Sequence, residues 1–383
     1  MNRIISLLCF LLFFPVFITA GDFGLILDNS AGYGGIEKGN IDYKGSVIPH
    51  YSLLLGENID IYLSGSFNIE YSEEEWSYLP ELLRTEISFN LNSGIIRAGR
   101  IFYSDPLGLI IRGLFDGAGI TLFTRAGTFS AGAWYTGLLY KERAKISMTE
   151  NDLKDDYFAP KRIIGAFDWE HLNLGPLQFN TAVIGQFDLS EVNLNSQYFT
   201  GKLTLPFQSA SFNLGGCLEL IQENDTQTTA FAGVIGMQLF LPTPFKDSLS
   251  LIGRFSSGVF EDKDINVFIP ITSIYMGNVF TEKLSGLSCL TLDYTFQLNK
   301  KLLFSVSSTY FILSDPDFYE GFPITEEKKG NFLGNEFFAK ILWNPYSDLQ
   351  LNLRGGAFLP SLGNAAPDNG TKWRLEFNVI FGL

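Results

Sequence analysis

Apolar and polar residues alternate strictly along the final segment of the chain. Its apolar positions are Trp373, Leu375, Phe377, Val379 and Phe381, and its polar positions are Lys372, Arg374, Glu376 and Asn378. A period of two residues is that of a β-strand with one apolar and one polar face, and it differs from the 3.6-residue period of a helix. Similar stretches recur along the whole chain, with aromatic residues at their ends, as in a lipid-facing band. The pattern therefore predicts an all-β chain whose strands each face lipid on one side and water on the other.

Two kinds of connector separate these stretches. Turn-forming residues occupy short joints such as 56–58 and 92–94. Longer polar joints alternate with them, among them 34–42, 73–80, 104–117, 222–226 and 261–283. Short periplasmic turns that alternate with long outer loops are the connectivity of outer-membrane barrels. The joints predict a transmembrane antiparallel up-and-down β-barrel of about 18 strands, with about 16 as an alternative, and an even count places both chain ends in the periplasm. A soluble β-sandwich or solenoid is the other architecture that the pattern leaves open.

The first residues have the features of an export signal. Arg3 precedes an unbroken apolar run over residues 4–18, and small residues followed by a charge occupy 19–22. The run is shorter than the roughly 20 apolar residues of a membrane helix, and its flank is not basic. We therefore predict a signal peptide at residues 1–20 and a single barrel domain at residues 21–383.

The composition argues against several classes of function. A net charge of −14 and a pI near 4.7 disfavour nucleic acid as a partner, because polyphosphate requires a basic surface. His50 and His171 are the two histidines of the chain, and no nucleophile elbow, paired-cysteine motif or phosphate-binding glycine loop occurs. We therefore predict no catalytic residue, no metal site and no cofactor.

A barrel of this size is too wide for its own side chains to fill, so an aqueous channel is the default expectation. Strand parity assigns charged residues of both signs to the inward face. The basic ones are Lys44, Arg84, Arg162, Lys202, Arg254, Lys340, Arg354, Lys372 and Arg374, and the acidic ones are Asp60, Glu70, Glu86, Asp168, Glu170, Asp188, Glu219, Asp293, Glu336 and Glu376. Because the two signs nearly cancel, we expect weak ion selectivity. A basic ladder that faces an acidic one is compatible with the same residues.

One glycine-rich segment, 94–119, is a candidate to fold into the pore as a constriction. Its charged members are Arg97, Arg100, Asp105, Arg112 and Asp116. The segment also holds an apolar run at 109–111, which a fully solvated loop would not favour. The alternative is an ordinary outer loop with a turn at residues 105–106.

Two stretches resemble a known group of proteins. The first joins Arg97-Ala98-Gly99-Arg100 to Phe115-Asp116-Gly117, and the second extends from Gly334-Asn335-Glu336 through Asn344-Pro345 to Pro360. Both are similar to segments of the alginate-export and related substrate-specific porin families. This resemblance implies an 18-stranded monomeric barrel that passes an oligosaccharide or a small organic solute. The balanced charges depart from an alginate exporter, whose polyanionic cargo implies a strongly basic lumen. The chain also ends in Leu383, where the assembly signal of these barrels usually has an aromatic residue.

The hypothesis of function is an outer-membrane porin, a passive channel for small hydrophilic solutes such as sugars or organic acids. Its expected partners are outer-membrane lipid, the barrel-assembly machinery and the solutes themselves, and the sequence does not predict an oligomeric state.

Three alternatives stay open. A fatty-acid type transporter of hydrophobic molecules would use residues 22–40 as a lumen plug instead of a wall strand. A surface adhesin would use the acidic segments 73–75, 150–156, 261–264 and 315–320 of its outer loops. An outer-membrane hydrolase would depend on His50.

Overall fold

The computed structural model describes residues 21–36, 39–148, 152, 155–174, 177–190, 194–223, 226–259, 265–315, 330–365 and 370–383. The predicted signal peptide at 1–20 lies outside this part of the chain. Within the described ranges, no helix combines the length and the apolar character that a membrane span requires.

The described residues form eighteen strands and little other regular structure. The first nine strands are β1 (Gly21–Ile36), β2 (Asn40–Leu55), β3 (Ile59–Ser72), β4 (Glu75–Leu91), β5 (Gly94–Ser104), β6 (Arg112–Thr124), β7 (Gly127–Tyr135), β8 (Arg162–Leu174) and β9 (Leu177–Asp188). The other nine are β10 (Leu194–Pro206), β11 (Ala210–Glu223), β12 (Thr226–Phe240), β13 (Ser248–Ser256), β14 (Leu287–Asn299), β15 (Leu302–Leu313), β16 (Phe332–Trp343), β17 (Leu349–Leu359) and β18 (Lys372–Gly382). A short helix α1 (Lys141–Ala144) and a 3-10 turn at Pro360–Leu362 lie between strands.

The strands close into a single antiparallel barrel. Each pairs with its neighbours in sequence, and β1 also pairs with β18. The closure extends to the last residue, since Leu25 and Leu383 exchange two backbone hydrogen bonds of 3.0 and 2.8 Å. The prediction of an 18-stranded barrel is confirmed, and the alternative of 16 strands is wrong.

The connectors differ in part from the predicted alternation. Residues 73–80 were predicted as a long joint, but β3 and β4 continue to Ser72 and Glu75 and leave a two-residue turn. Glu73 and Glu74 have φ values of +52° and +67°. Two central residues of positive φ give a turn whose twist matches that of the strands, which explains why the hairpin is tight despite its acidic sequence. The joints predicted at 34–42 and 222–226 are likewise mostly strand.

The apolar stripes face outward. On β18, Leu375 and Phe377 are 51% and 46% exposed, whereas Glu376 between them is 6% exposed. A water-soluble protein has the opposite distribution, so the soluble sandwich is excluded as an architecture. Aromatic pairs, Tyr33 with Trp373 and Tyr71 with Trp76, lie near the long-connector end of the stripe, at centroid distances of 4.9 and 5.0 Å. They correspond to one of the interfacial girdles of a membrane barrel.

Candidate channel and its constriction

The inward face carries the charged residues that strand parity predicts. The structure places Lys44, Asp60, Arg84, Glu86, Arg162, Asp168, Glu170, Lys202, Arg254, Asp293, Glu336, Lys340, Arg354, Lys372, Arg374 and Glu376 on this face. That each of them lines the path of a solute stays a prediction.

Four of these residues are buried, and two of them, Arg162 and Glu336, almost completely. Arg162 has no exposed surface and forms ion pairs with Asp188 at 3.3 Å and with Asp152 at 3.0 Å. Glu336 is 1% exposed and accepts hydrogen bonds from a segment that crosses the lumen. Arg162 therefore holds the connector after β7 at Asp152, and Glu336 holds the segment that crosses the lumen. Strand parity gives the face of a residue, but it does not give what covers that residue.

The loop at residues 105–111 folds into the lumen. The carboxylate of Asp105 accepts the backbone N–H groups of Leu107, Leu109, Ile110 and Ile111 at 2.9 to 3.4 Å. Burial raises the pKa of Asp105, and these four donors act in the opposite direction. The loop is thus wrapped around one of its own side chains, and its apolar run is buried as the sequence suggested.

This loop also contacts strands β10 and β11 of the wall. Lys202 on β10 donates a hydrogen bond from Nζ to the carbonyl of Pro106 at 3.1 Å. Leu107 lies against Gly215 on β11, so close that a Cβ on Gly215 would be 2.3 Å from Leu107 Cδ2. The loop therefore crosses part of the lumen and narrows it.

Four of the five charged residues of the predicted constriction segment are not in this loop. Strand β6 begins at Arg112, so Arg112 and Asp116 belong to β6, whereas Arg97 and Arg100 belong to β5. Arg100 and Asp116 are opposite each other and share the face of Phe102 and Leu114, which points away from the lumen. The sequence already indicates that Arg97 and Arg100 lie on opposite faces of β5. They are three residues apart, and an odd separation places side chains on opposite faces of a strand. Arg97 does point inward, with Nε 3.6 Å from Glu86.

A second segment, residues 265–286 between β13 and β14, spans the lumen, and we refer to it as the crossbar. At one end Tyr198 donates to the carbonyl of Ile269 at 2.6 Å, and Glu219 accepts the N–H of the same residue at 2.9 Å. At the other end Glu336 accepts the backbone N–H groups of Asn278, Val279 and Phe280 at 2.7 to 2.8 Å. Buried carboxyl groups on β11 and β16 thus fix the two ends of the crossbar to two different parts of the wall.

The crossbar is apolar between its anchors. Phe280 packs against Phe311 and Phe358 at centroid distances of 4.8 and 4.2 Å. Residues 261–283 were predicted as a polar outer joint, and that residues 265–286 fold into the lumen was not predicted. The available signal was the apolar clusters at 267–271 and 274–276, the same argument that applied to residues 109–111.

A third segment, residues 136–148 after β7, completes the inward structure. Ser147 donates its N–H to the carbonyl of Ile271 at 2.9 Å, and Thr272 donates its N–H to the carbonyl of Ile110 at 3.0 Å. The three segments therefore bond to one another within the barrel. Together with the inner wall they form one buried apolar cluster, so the core of this protein lies inside the lumen.

The inward segments leave a cavity of about 620 Å³ along one side of the wall, which we refer to as the polar passage. On the wall side it is lined by Asp28, Ser30, Lys44, Ser46, Asn68, Glu70, Arg354, Glu376 and Asn378, and on the inner side by Tyr140, Glu142, Arg143, Lys145 and Tyr275. Both charge signs and several neutral polar groups therefore face this space.

Ion pairs organise the wall of the polar passage. Arg354 and Arg374 both donate to Glu376, and Arg374 also reaches Asp42 at 2.8 Å. Lys44 lies 3.3 Å from Glu70. These pairs place cations and carboxylates side by side instead of grouping one sign.

Lys145 is one of two exposed cations on the inner side, and the other is Arg143. Its Nζ lies 4.5 Å from the centroid of the Tyr275 ring, in the geometry of a cation–π contact. Burial, and then the nearby positive charge of Lys44, lowers the pKa of Lys145 below that of an ordinary lysine. The charge on this side of the passage is therefore sensitive to alkaline pH.

Comparisons with known proteins bear on the fold. No protein-family profile and no curated protein matches the chain. Solved structures of Pseudomonas aeruginosa outer-membrane proteins do match: OccK2 (OpdF) in complex with glucuronate has 10% identity and a TM-score of 0.66, with 95% of this chain and 96% of that chain covered. OprD has 11% identity, a TM-score of 0.62 and coverage of 95% and 93%. OccK5 (OpdH) has 8% identity, a TM-score of 0.64 and coverage of 96% and 99%. At such identities the likeness establishes the fold, and the resemblance to 18-stranded substrate-specific porins is confirmed at that level.

Proposed function

We propose that this protein is a porin of the bacterial outer membrane, a passive channel for small hydrophilic solutes. The observation that carries the proposal is the polar passage, which lies inside a closed barrel whose outer face is apolar. A continuous lipid-facing band requires a membrane, and a wet interior lined by charges of both signs suits water-soluble cargo. The short turns then face the periplasm, and the inward segments narrow the pore from the outer side.

Balanced charges in the passage predict weak selectivity. Arg354 and Arg374 are paired with Glu376 and Asp42, and Lys44 is paired with Glu70. Ions and small polar solutes of either sign then meet nearby groups of both signs, so no ring of one charge excludes them.

The test is conductance in planar lipid bilayers. We expect discrete single-channel steps and a small reversal potential under a salt gradient. Absence of conductance from folded protein would contradict the porin, and a reversal potential near that of a perfectly selective pore would contradict the balanced passage.

Liposome swelling then defines the solutes. OccK2, a structural neighbour, has been solved with glucuronate, so a series of arabinose, glucose and glucuronate is a suitable set of probes. We expect arabinose to enter faster than glucose, because the passage is narrow. Equal exclusion of every sugar would argue against a diffusion channel.

The described residues bear in different ways on the three alternative functions: the hydrophobic transporter, the adhesin and the hydrolase. The described part of the supposed plug, residues 22–36, belongs to wall strand β1, which speaks against a hatch of the fatty-acid type there. The acidic segments of the adhesin alternative lie largely outside the described residues, so loop deletion and binding assays are its test. For the hydrolase alternative, His50 stacks on Tyr62 at 6.2 Å on the inward face, and turnover assays with His50→Ala would test it. We propose that the protein catalyses no reaction.

A further inference from the structure

The barrel wall is split between β4 and β5. Their pairing ends at Thr85 opposite Arg100. Beyond this point β4 pairs only with β3, up to Glu75, and β5 pairs only with β6, up to Ser104. The two strand edges that face each other above Thr85 therefore form a seam in the wall, and it lies within the band of outward apolar residues.

Arg100 sits at the base of this seam. Its guanidinium donates two hydrogen bonds of 2.8 Å to Asp116 on β6, a further one to the carbonyl of Leu82 on β4, and one of 3.2 Å to the carbonyl of Leu138. An arginine on the outer face of a membrane barrel is destabilising near the bilayer midplane unless it is covered and paired. Here the side chain is 8% exposed, because it ties three parts of the chain together across the split.

The segment that follows β7 fills the seam without joining the sheet. Arg143 Nε donates to Glu81 at 2.6 Å, and the Tyr157 hydroxyl lies 3.5 Å from the carbonyl of Pro80. Among the described residues, no backbone–backbone hydrogen bond links the edge at 75–84 to residues 138–144. The filling segment is therefore held by a few side chains instead of a strand ladder.

Behind the seam is a cavity of about 270 Å³. Most of its lining is apolar and comprises Leu83, Phe102, Gly113, Leu114, Leu139 and Ala144. Its polar lining comprises Glu81, Arg100, Tyr140 and Arg143, and Arg100 and Arg143 are ion-paired with Asp116 and Glu81. On the lipid side, Leu82, Phe102 and Leu138 are each more than half exposed. The cavity thus faces hydrocarbon and has the surface chemistry of an alkyl-chain site.

The same cavity adjoins the polar passage. Tyr140 and Arg143 line both spaces, and Lys145 lies two residues beyond Arg143 on the passage side. Arg143 is 47% exposed and uses its Nε for Glu81, and its terminal nitrogens have no hydrogen-bond partner among the residues that the structure describes. The junction between the apolar space and the polar space in the lumen therefore holds two cations and the carboxylates of Glu81 and Glu142. Arg143 is paired with Glu81, whereas Lys145 has no ion pair among the described residues and lies over the Tyr275 ring, so it is the cation that offers its charge to a head group.

We propose that the seam is a lateral portal for a single-chain amphiphile with an anionic head group. Its alkyl chain enters the cavity between β4 and β5 from the surrounding leaflet, and its head group lies at the junction beside Arg143 and Lys145. This function is separate from the diffusion of hydrophilic solutes, and it does not require that solutes pass.

Native mass spectrometry of the purified full-length barrel with dodecanoate tests the proposal. The wild-type protein should retain dodecanoate after detergent removal. Ala144→Trp should abolish retention, because the indole fills the cavity. Leu214→Trp is the matched control, since Leu214 is 57% exposed on the outer face of β11, far from the seam, and it should retain dodecanoate as wild type does.

A second comparison separates binding of the alkyl chain from binding of the anionic head group. The double variant Arg143→Gln and Lys145→Gln should lose retention of dodecanoate more than retention of dodecanol. Heat-modifiable migration in electrophoresis establishes that each variant is a folded barrel. Failure of folded wild type to retain dodecanoate, or equal retention by wild type and Ala144→Trp, would overturn the portal, whereas bilayer conductance reports separately on the porin.

Discussion

The carboxylate of Glu336 accepts the backbone N–H of Phe280 at 2.7 Å, although the two residues are 56 positions apart in sequence. The same carboxylate also accepts the N–H groups of Asn278 and Val279, so one wall residue of β16 holds one end of the crossbar. This end of the crossbar is thus anchored by one buried carboxyl group together with the packing of Phe280.

Glu336→Gln should loosen the crossbar. Glutamine keeps the size of the side chain but replaces one acceptor oxygen by an amide donor, so a buried N–H loses its partner at a cost of about 1–3 kcal/mol. We expect larger and noisier single-channel conductance in planar bilayers. Glu170→Gln is the control, because Glu170 is an inward carboxylate of β8 without a crossbar contact among the described residues. Identical conductance traces for Glu336→Gln and wild type would refute the role of Glu336 as an anchor of the crossbar.

Gly215→Ala should displace the loop at 105–111. The new methyl group would lie 2.3 Å from Leu107 Cδ2 and 3.1 Å from the carbonyl oxygen of Gly201. Such overpacking costs about 1–3 kcal/mol, so thermal unfolding followed by electrophoretic migration should begin at lower temperature. Gly216→Ala is the matched change, because its nearest neighbour would be 3.9 Å away. The packing argument fails if both variants unfold alike.

Glu376→Gln and Arg354→Gln should shift ion selectivity in opposite directions. Removal of the Glu376 charge leaves Arg354 and Arg374 without their shared carboxylate, which favours anions in the polar passage. Removal of the Arg354 charge leaves an excess of carboxylate and favours cations. Reversal potentials under a potassium chloride gradient measure both effects. Shifts of the same sign would show that these residues do not line the conducting path.

Alkaline pH should shift the ion selectivity of the channel toward cations. Because the pKa of Lys145 is lowered by burial, this side chain loses its proton at a lower pH than an ordinary lysine, whose pKa is near 10.4. As pH rises through the lowered pKa, the passage loses one positive charge and the reversal potential moves toward cation preference. In Lys145→Gln this movement should be absent below pH 10. Persistence of the full movement in the variant would assign it to another group.

The sequence by itself determined that the chain forms a barrel and which face of each strand points toward lipid. A two-residue period fixes which side chains share a face, and the lipid environment decides that the face of Leu375 and Phe377 points outward while that of Glu376 points inward. The same local pattern predicted about 18 strands and left 16 open, and the closed sheet decided for 18. The buried run at 109–111 was also readable, because consecutive apolar residues do not suit a solvated loop.

Only the tertiary structure decided how the lumen is filled and where the wall is split. The anchor of the crossbar joins Glu336 to residues 278–280, and the seam depends on where the pairing of Thr85 with Arg100 stops. Neither feature is periodic, and each arises from contacts between segments far apart in the chain. Strand alternation is a local property that a sequence displays directly, whereas these contacts exist only after the barrel has closed and brought distant loops into one interior.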